Sequence, residues 1–291
     1  MTRLSIRHET RYTYERPVSF GPHRLLVRPR DSHAVRVLDA SLSFTPRGAT
    51  RWMYDALGNS VCWLHPQGEA TQLLIVSQLT IERFPTPITE AQIEDPQTSS
   101  PIVYDPDDRR TLAPFIEPAS ADFPGDLLGW LRAQMGPSDE PALAFLMRLN
   151  SAIHDQFEYS ARVEEGTQNP RETVRLARGT CRDFAWLMVE ALRRLGYAAR
   201  FVTGYLHSPN EGVRGAGATH AWCEVFLPGL GWTEFDPTNG LMESPDLIPV
   251  AVSRTPMEAA PIHGSIFGSP GQSYLEVHVD VQAQTGLQAA A

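Results

Sequence analysis

A proline-rich stretch divides this chain into two parts of different character. Residues 85–124 contain eight of the 24 prolines, together with the acidic sequence Asp105-Pro106-Asp107-Asp108. Proline lacks a backbone N–H and interrupts helices and sheets, so this stretch predicts a connector without long regular elements. The chain has 291 residues, which is enough for about two domains, one on each side of the connector.

The residues before the connector alternate between apolar and polar side chains, as half-buried β-strands do. The predicted strands and hairpin cover residues 4–14, 38–44, 53–64 and 73–81. On the first strand, one face carries the even-numbered residues Leu4, Ile6, His8, Thr10, Tyr12 and Tyr14. We therefore expect an antiparallel, β-rich N-terminal domain over residues 1–85, followed by the connector over residues 86–124.

Both helices and strands are predicted after the connector. The helical segments are residues 126–135, 142–157 and 181–195, and the strands are residues 200–205, 220–227, 232–235 and 275–281. This mixture indicates an α+β core over residues 125–281. Residues 282–291 are expected to form a mobile tail.

Composition and charge restrict the classes of function. Hydrophobic residues make up 42% of the chain, but no apolar run approaches the roughly 18 residues of a membrane span, and no signal-peptide core is visible. The net charge of −9 argues against nucleic acid as the main partner. Cys62, Cys181 and Cys223 have neither disulfide nor zinc-site spacing, so we expect reduced thiols in the cytoplasm and neither metal nor cofactor.

Cys181 has the clearest potential for chemistry. It follows Thr180, a favourable N-cap, and Asp183 falls in the first turn, where a carboxylate complements the helix dipole. Apolar residues then recur at helical spacing: Phe184, Leu187, Met188, Ala191, Leu192 and Leu195. Cys181 therefore begins a buried helix, whose N-terminus favours the thiolate form of a cysteine. For this residue alone, a small core cysteine is the alternative.

A histidine and an aspartate follow in a predicted β-hairpin. Residues 220–227 alternate as a strand, with His220 and Trp222 on one face and Cys223 on the other. A turn centred near Gly229 places Asp236 across from Trp222 and diagonal to His220, within reach of its ring. Together with Cys181, these residues have the types and the order of a thiol nucleophile, its base and the residue that orients the base.

Other polar features near these residues have two interpretations each. Asp183 is a candidate for the substrate cleft as a general acid, but a first-turn aspartate more often caps its helix. Trp222 is interpreted as a cleft wall, with a core tryptophan as the alternative. Glu224 is expected to be a solvated residue or a buried ion-pair partner. The glycine-rich residues 212–218 lack the ending of a phosphate loop and predict a mobile flap, with residues 207–210 at its base.

Three motifs in this order resemble a known family. They are Gly179-Thr180-Cys181-Arg182-Asp183-Phe184, Thr219-His220-Ala221-Trp222 and Phe235-Asp236-Pro237-Thr238-Asn239-Gly240. The chain resembles the bacterial transglutaminase-like superfamily, in the branch of transglutaminase-like enzymes and candidate cysteine proteases. Residues 4–14, 23–30 and 55–59 are similar to the β-rich N-terminal domain of that branch. The resemblance implies a papain-like core, with Cys181 as nucleophile, His220 as base and Asp236 as the orienting residue.

These observations favour a thiol enzyme that attacks an amide or peptide bond of a peptide or protein substrate. The fold expected is α+β, a nucleophile helix packed on an antiparallel sheet in a papain-like, transglutaminase-like core, preceded by the antiparallel β domain. The acyl group passes either to water, as in a peptidase or amidase, or to an amine, as in a transglutaminase, and hydrolysis is favoured. A non-catalytic peptide-binding or scaffold protein is the alternative of another class. Oligomeric state is left open.

Overall fold

The computed structural model describes residues 1–84, 102–121, 125–137, 140–160, 166–208 and 213–284. The strands of the N-terminal part are β1 (Thr2–Leu25), β2 (Val35–Thr45), β3 (Gly48–Tyr54), β4 (Ser60–Pro66) and β5 (Glu69–Arg83). They form an antiparallel sheet in the order β2-β5-β1-β4-β3. Alternation along β1 buries Leu4 and Ile6, as the sequence pattern predicts. An antiparallel β-rich N-terminal part is therefore confirmed.

The remaining elements build a mixed core. The helices are α1 (Pro106–Ile116), α2 (Asp126–Ala133), α3 (Ala142–Gln156), α4 (Pro170–Leu176) and α5 (Cys181–Arg194). The strands are β6 (Glu158–Tyr159), β7 (Arg178–Gly179), β8 (Ala199–Leu206), β9 (His220–Leu227), β10 (Gly231–Asp236), β11 (Leu241–Met242), β12 (Leu247–Ser253), β13 (Ile262–Phe267) and β14 (Ser273–Ala283). Among the described residues, none of the helices is long and apolar enough to cross a membrane.

The core sheet is antiparallel, in the order β11-β10-β9-β8-β12. Helix α5 packs on β9 and β8, and Phe184 and Leu187 of the helix share an apolar cluster with Cys223, Val225 and Phe235 of the sheet. Burial of these side chains is the main favourable contribution to this packing. A helix that begins at Cys181 and packs on an antiparallel sheet is the α+β core expected from the sequence.

The last two strands, β13 and β14, were expected to belong to the core but lie in the N-terminal sheet. Strand β14 pairs along β1, from Leu4 opposite Ala283 to Tyr14 opposite Ser273, and β13 pairs with the end of β1. Both strands thus belong to the N-terminal sheet, although they lie beyond the core in sequence. The physical reason is that β5 and β4 pair with one edge of β1, which leaves the backbone groups of its other edge for β13 and β14 to pair with.

The predicted connector also contains an 11-residue helix, which corrects the expectation of a stretch without long regular elements. Helix α1 begins with Pro106 at its first position, where the missing N–H costs nothing, and Asp105 caps it by accepting from the N–H groups of Asp107 and Asp108. Phe115 is buried and packs edge-on against Trp232. Residues 85–101 and 122–124 of the connector, and 285–291 of the predicted tail, lie outside the described residues.

Polar and apolar contacts join the N-terminal sheet to the core sheet. The side-chain amide of Asn59 donates to the carbonyl of Val252 at 2.8 Å and accepts from its N–H at 2.9 Å. Leu4, Ile6 and Ile81 share a cluster with residues of the core sheet, Tyr205, Ile248 and Val250. The β-rich part is therefore packed directly on β8 and β12, on strands that also support the candidate site.

Candidate active site

The start of helix α5 is held by a closed set of hydrogen bonds around Asp183. One oxygen of this carboxylate accepts from both the N–H and the hydroxyl of Thr180 at 2.9 Å, and the other accepts from the N–H of Gln168 at 2.6 Å. Asp183 is fully buried. Its contacts are those of a helix cap, so it does not line an open cleft. The consequence is a fixed position for Cys181 at the first residue of the helix.

The β9–β10 hairpin has the register expected from its turn. Phe235 pairs with Cys223 and Glu234 with Glu224, which centres the hairpin on Gly229. This register brings Nε2 of His220 to 2.8 Å from Oδ2 of Asp236, and both side chains are completely buried. The diagonal placement of the two residues is confirmed.

Asp236 is held as a carboxylate by three donors. Besides His220, Nδ2 of Asn239 donates to Oδ2 at 2.9 Å, and the N–H of Thr238 donates to Oδ1 at 2.9 Å. Burial alone would raise the pKa of Asp236, but the positive charge of His220 and these hydrogen bonds outweigh burial and lower it. The carboxylate therefore stays ionised and fixes the orientation of the imidazole ring.

The other nitrogen of His220 faces the thiol. Nδ1 is buried, and Cys181 lies close enough to the ring to act on it. Burial alone would lower the pKa of His220, but the charge and hydrogen bond of Asp236, with a smaller effect of Cys181, raise it to about 10. The raised pKa therefore keeps the ring an imidazolium near neutral pH.

The segment before β9 covers this histidine. Gly215 has a φ of 87°, and a side chain at that position would begin 2.9 Å from Nδ1 of His220 and 3.6 Å from the hydroxyl of Tyr159. Asn239 anchors the segment, because its amide accepts from the N–H of Arg214 at 2.9 Å and donates to the carbonyl of Arg214 at 3.2 Å. Of the predicted flap and its base, residues 209–212 lie outside the described residues.

The remaining predicted residues lie near this centre in different roles. Trp222 is fully buried and stacks on the ring of His220, with 6.1 Å between centroids, so it packs behind the histidine rather than forming an open cleft wall. Glu224 is buried and ion-paired with Arg200, the second of its two expected roles. Cys223 points to the opposite face, into the cluster with α5, and burial raises its pKa.

Sequence reasoning missed three residues at this centre. Asn239 is part of a quoted motif, and its position three residues after Asp236 is a signal for a local hydrogen bond. Gly215 lies in the glycine-rich stretch, but no pattern shows which glycine touches the histidine. Tyr159 gives no signal at all, because it reaches the site through two-residue strands, with β6 parallel to β7.

Comparison with protein-family models identifies both parts of the chain. Residues 4–82 match the bacterial transglutaminase-like N-terminal region, and residues 130–237 match the transglutaminase-like superfamily core. The chain belongs to the transglutaminase-like superfamily. The core match begins in α2 and ends just past Asp236, so all three motif residues of this superfamily member fall inside it.

Relatives of this superfamily member align along nearly its whole length. An uncharacterized protein of Mycobacterium tuberculosis is 27% identical, over 96% of this chain and 92% of the relative, and one of Mycobacterium leprae is 25% identical, over 97% and 99%. A solved structure of a candidate cysteine protease from Cytophaga hutchinsonii has a TM-score of 0.74 at 22% identity, covering 99% of this chain and 92% of that one. The shared fold therefore includes the β-rich part as well as the core.

Proposed function

We propose that this protein is a thiol-dependent enzyme that attacks amide or peptide bonds through Cys181, His220 and Asp236. One observation carries the proposal. The thiol stands at the N-terminus of α5, opposite the buried Nδ1 of His220, while the other ring nitrogen is held at 2.8 Å by Asp236. A cysteine in this setting has a base and an orienting carboxylate, as nucleophilic catalysis requires.

The geometry supports a two-step reaction. Sγ of Cys181 attacks the substrate carbonyl carbon, and the electron pair of the C=O bond moves to its oxygen. The C=O bond then re-forms, the C–N bond breaks, and the leaving amine takes the proton from Nδ1 of His220. In the second step Nδ1 accepts a proton from water, which attacks the thioester and releases the acid and the thiolate.

We favour water over an amine as the acyl acceptor, so the proposed activity is that of a peptidase or amidase. Transfer to an amine is the alternative outcome of the same acyl-enzyme. The acyl acceptor is whichever molecule, water or an amine, reaches the thioester. A glutamine-containing peptide tests both hydrolysis and transfer to an amine. Hydrolysis releases free acid with or without added amine, whereas a transglutaminase incorporates a dansyl-labelled primary amine.

The test of the thiol compares two buried cysteines. With p-nitrophenyl acetate as probe, the wild-type protein is expected to release p-nitrophenolate and to carry an acetyl group on Cys181 in mass spectra. Cys181→Ala should abolish both signals while changing the stability by no more than about 1–2 kcal/mol. Cys223→Ala, the matched control, should lose stability and keep the reaction. Acetylation that persists without Cys181 would refute the proposal and would favour the scaffold alternative.

We also infer that the protein works with reduced thiols, as in the cytoplasm. Cys62, Cys181 and Cys223 are all free and buried, and a thiolate nucleophile requires the reduced form. Fusion of the full chain to a reporter that folds only after export tests this inference. A strong signal from the exported reporter would contradict it.

A further inference from the structure

Tyr159 is placed against both chain segments that flank the candidate nucleophile. In β6 it pairs with Gly179, two residues before Cys181, and the next residue, Ser160, donates its N–H to the carbonyl of Gly179 at 2.9 Å. Its ring packs edge-on against Phe184 of α5, with 6.5 Å between centroids. The position of this tyrosine is therefore fixed relative to the start of the helix.

The hydroxyl of Tyr159 lies beside the reacting groups. The point where a side chain at Gly215 would begin is 2.9 Å from Nδ1 of His220 and 3.6 Å from this hydroxyl, so both atoms lie close to the same point beside Gly215. Burial, and then the charges of Cys181 and Asp236, raise the pKa of Tyr159 to about 12. The phenol therefore keeps its proton near neutral pH and can donate it in a hydrogen bond.

A second donor borders the same region. Cys181 is the first residue of α5, and the first N–H groups of a helix have no partner inside it. Among the described residues, no acceptor is seen for the N–H of Cys181. A carbonyl under attack by a cysteine develops a negative oxygen, which is stabilised by two or more donors already in place.

We propose that the hydroxyl of Tyr159 is the second donor of the oxyanion hole, together with the backbone N–H of Cys181. This rests on the proposed function. When Sγ bonds to the carbonyl carbon, the oxygen that receives the C=O electron pair accepts hydrogen bonds from both groups. Tyr159 keeps its proton throughout, because the proton for the leaving amine comes from His220. When the C=O bond re-forms, the two hydrogen bonds weaken again.

Gly215 has a matching part in this arrangement. Its φ of 87° suits glycine, and its missing side chain lets its backbone lie close to His220 and Tyr159. A methyl group there would stand 2.9 Å from Nδ1, which is too close for a carbon atom, so the ring or the covering segment would have to move. The covering segment therefore depends on glycine at this position for its close approach to both side chains.

Tyr159→Phe tests the proposal by removing the hydroxyl alone. The edge-on packing against Phe184 remains, so the fold is expected to persist. With p-nitrophenyl acetate, the rate of acetylation of Cys181 should fall about 100-fold, the size typical of losing one oxyanion donor. Alkylation of Cys181 by iodoacetamide should keep its wild-type rate, because attack on the CH₂–I carbon forms no oxyanion. Tyr274→Phe, an exposed tyrosine on β14, is the matched control.

The outcomes separate this proposal from the proposed function. Wild-type acetylation rates in Tyr159→Phe would overturn the oxyanion role and leave the thiol chemistry intact. Equal losses in acetylation and alkylation would also overturn it, since the hydroxyl would then act on the resting thiolate. If the wild-type protein forms no acetyl-Cys181, both proposals fail together.

Discussion

The protonation state of His220 depends on its neighbours. Its ring is completely buried, an environment that by itself disfavours the charged form. Asp236 reverses this preference, and Asp236 in turn is fixed by Thr238 and Asn239. The ionisation of one imidazole is thus controlled by a short chain of hydrogen bonds, and each link makes a separate prediction.

Cys181 is expected to react with iodoacetamide near neutral pH much faster than Cys62 or Cys223. Cys181 lies at a helix start beside an imidazolium, the setting of reactive cysteines, whereas burial raises the pKa of Cys62 to about 11 and that of Cys223 further. Mass-spectrometric mapping of the labelled cysteines over time gives the three rates. Labelling of Cys181 at the same rate as the other two would remove the thiolate argument.

Asp236→Asn should preserve the fold and lower turnover by roughly 10⁴-fold, the size known for this change in serine-protease triads. All three neighbours donate hydrogen bonds to the carboxylate, so an amide NH₂ in either oxygen position replaces an acceptor with a donor. Because Thr238 donates through its backbone, the NH₂ is expected to face Nε2 and to disfavour the imidazolium. The acetylation rate measures the effect, with unfolding midpoints as the control for folding. Near-normal activity would show that another residue orients the base.

At the scale of elements, strand β1 connects the N-terminal sheet to the core through a buried histidine. His8 lies 3.1 Å from the hydroxyl of Tyr205 on β8, through Nδ1, and 3.0 Å from the hydroxyl of Thr10, through Nε2. Burial lowers the pKa of His8 to about 4. The contact therefore holds a neutral imidazole between the two sheets, and it makes their packing sensitive to acid.

Acid should weaken the fold through His8. In the unfolded chain this histidine titrates near pH 6.5, so between about pH 6.5 and about pH 4 the unfolded state binds more protons. The free energy of unfolding should thus be intact above about pH 6.5 and should lose up to about 3 kcal/mol as the pH falls towards 4. Urea unfolding of the wild type and of His8→Gln measures the difference. An equal loss of unfolding free energy at low pH in both proteins would argue against His8 as the source of the effect.

Sequence patterns predicted the elements that depend on residues close together in the chain. The capped helix after Thr180 and the register of the hairpin around Gly229 each depend on residues close together in the chain. The pairing of β14 with β1 joins residues about 270 positions apart, and alternation alone shows that a strand exists but not which edge it joins. Tyr159 was missed for the same reason, because nothing local marks a two-residue parallel contact.

At the scale of the whole molecule, β14 connects the outer sheet to the segment that covers His220. The N–H of Val279 points away from β1 and donates to the carbonyl of Gly217 at 2.9 Å, two residues from the glycine that touches the histidine ring. Strand β14 therefore pairs with the N-terminal strand on one edge and supports the candidate site on the other. Within the described part of the chain, one backbone hydrogen bond joins β14 to this segment, and a substitution can remove it.

Val279→Pro should loosen the covering segment without removing a ladder bond between β14 and β1. Proline lacks the N–H that Gly217 accepts, and it is tolerated on an edge strand when that N–H faces outward. We expect faster hydrogen exchange at residues 213–217 and acetylation of Cys181 reduced several-fold. Val277→Pro is the control, since its N–H lies on the same outward side of the strand. Equal effects of the two substitutions would mean that the strand itself, and not its contact with Gly217, matters.

The long separation between β1 and its partner β14 has a consequence for synthesis. A ribosome adds roughly 5–20 residues per second, so one edge of β1 waits on the order of tens of seconds for the strand that covers it. During that time the edge is open to pairing with other nascent chains. The helix that carries Cys181 is also made well before the strand that fixes the segment over His220. A tethered, unfinished chain would therefore hold Cys181 without strand β14 and without the support that β14 gives to the segment over His220.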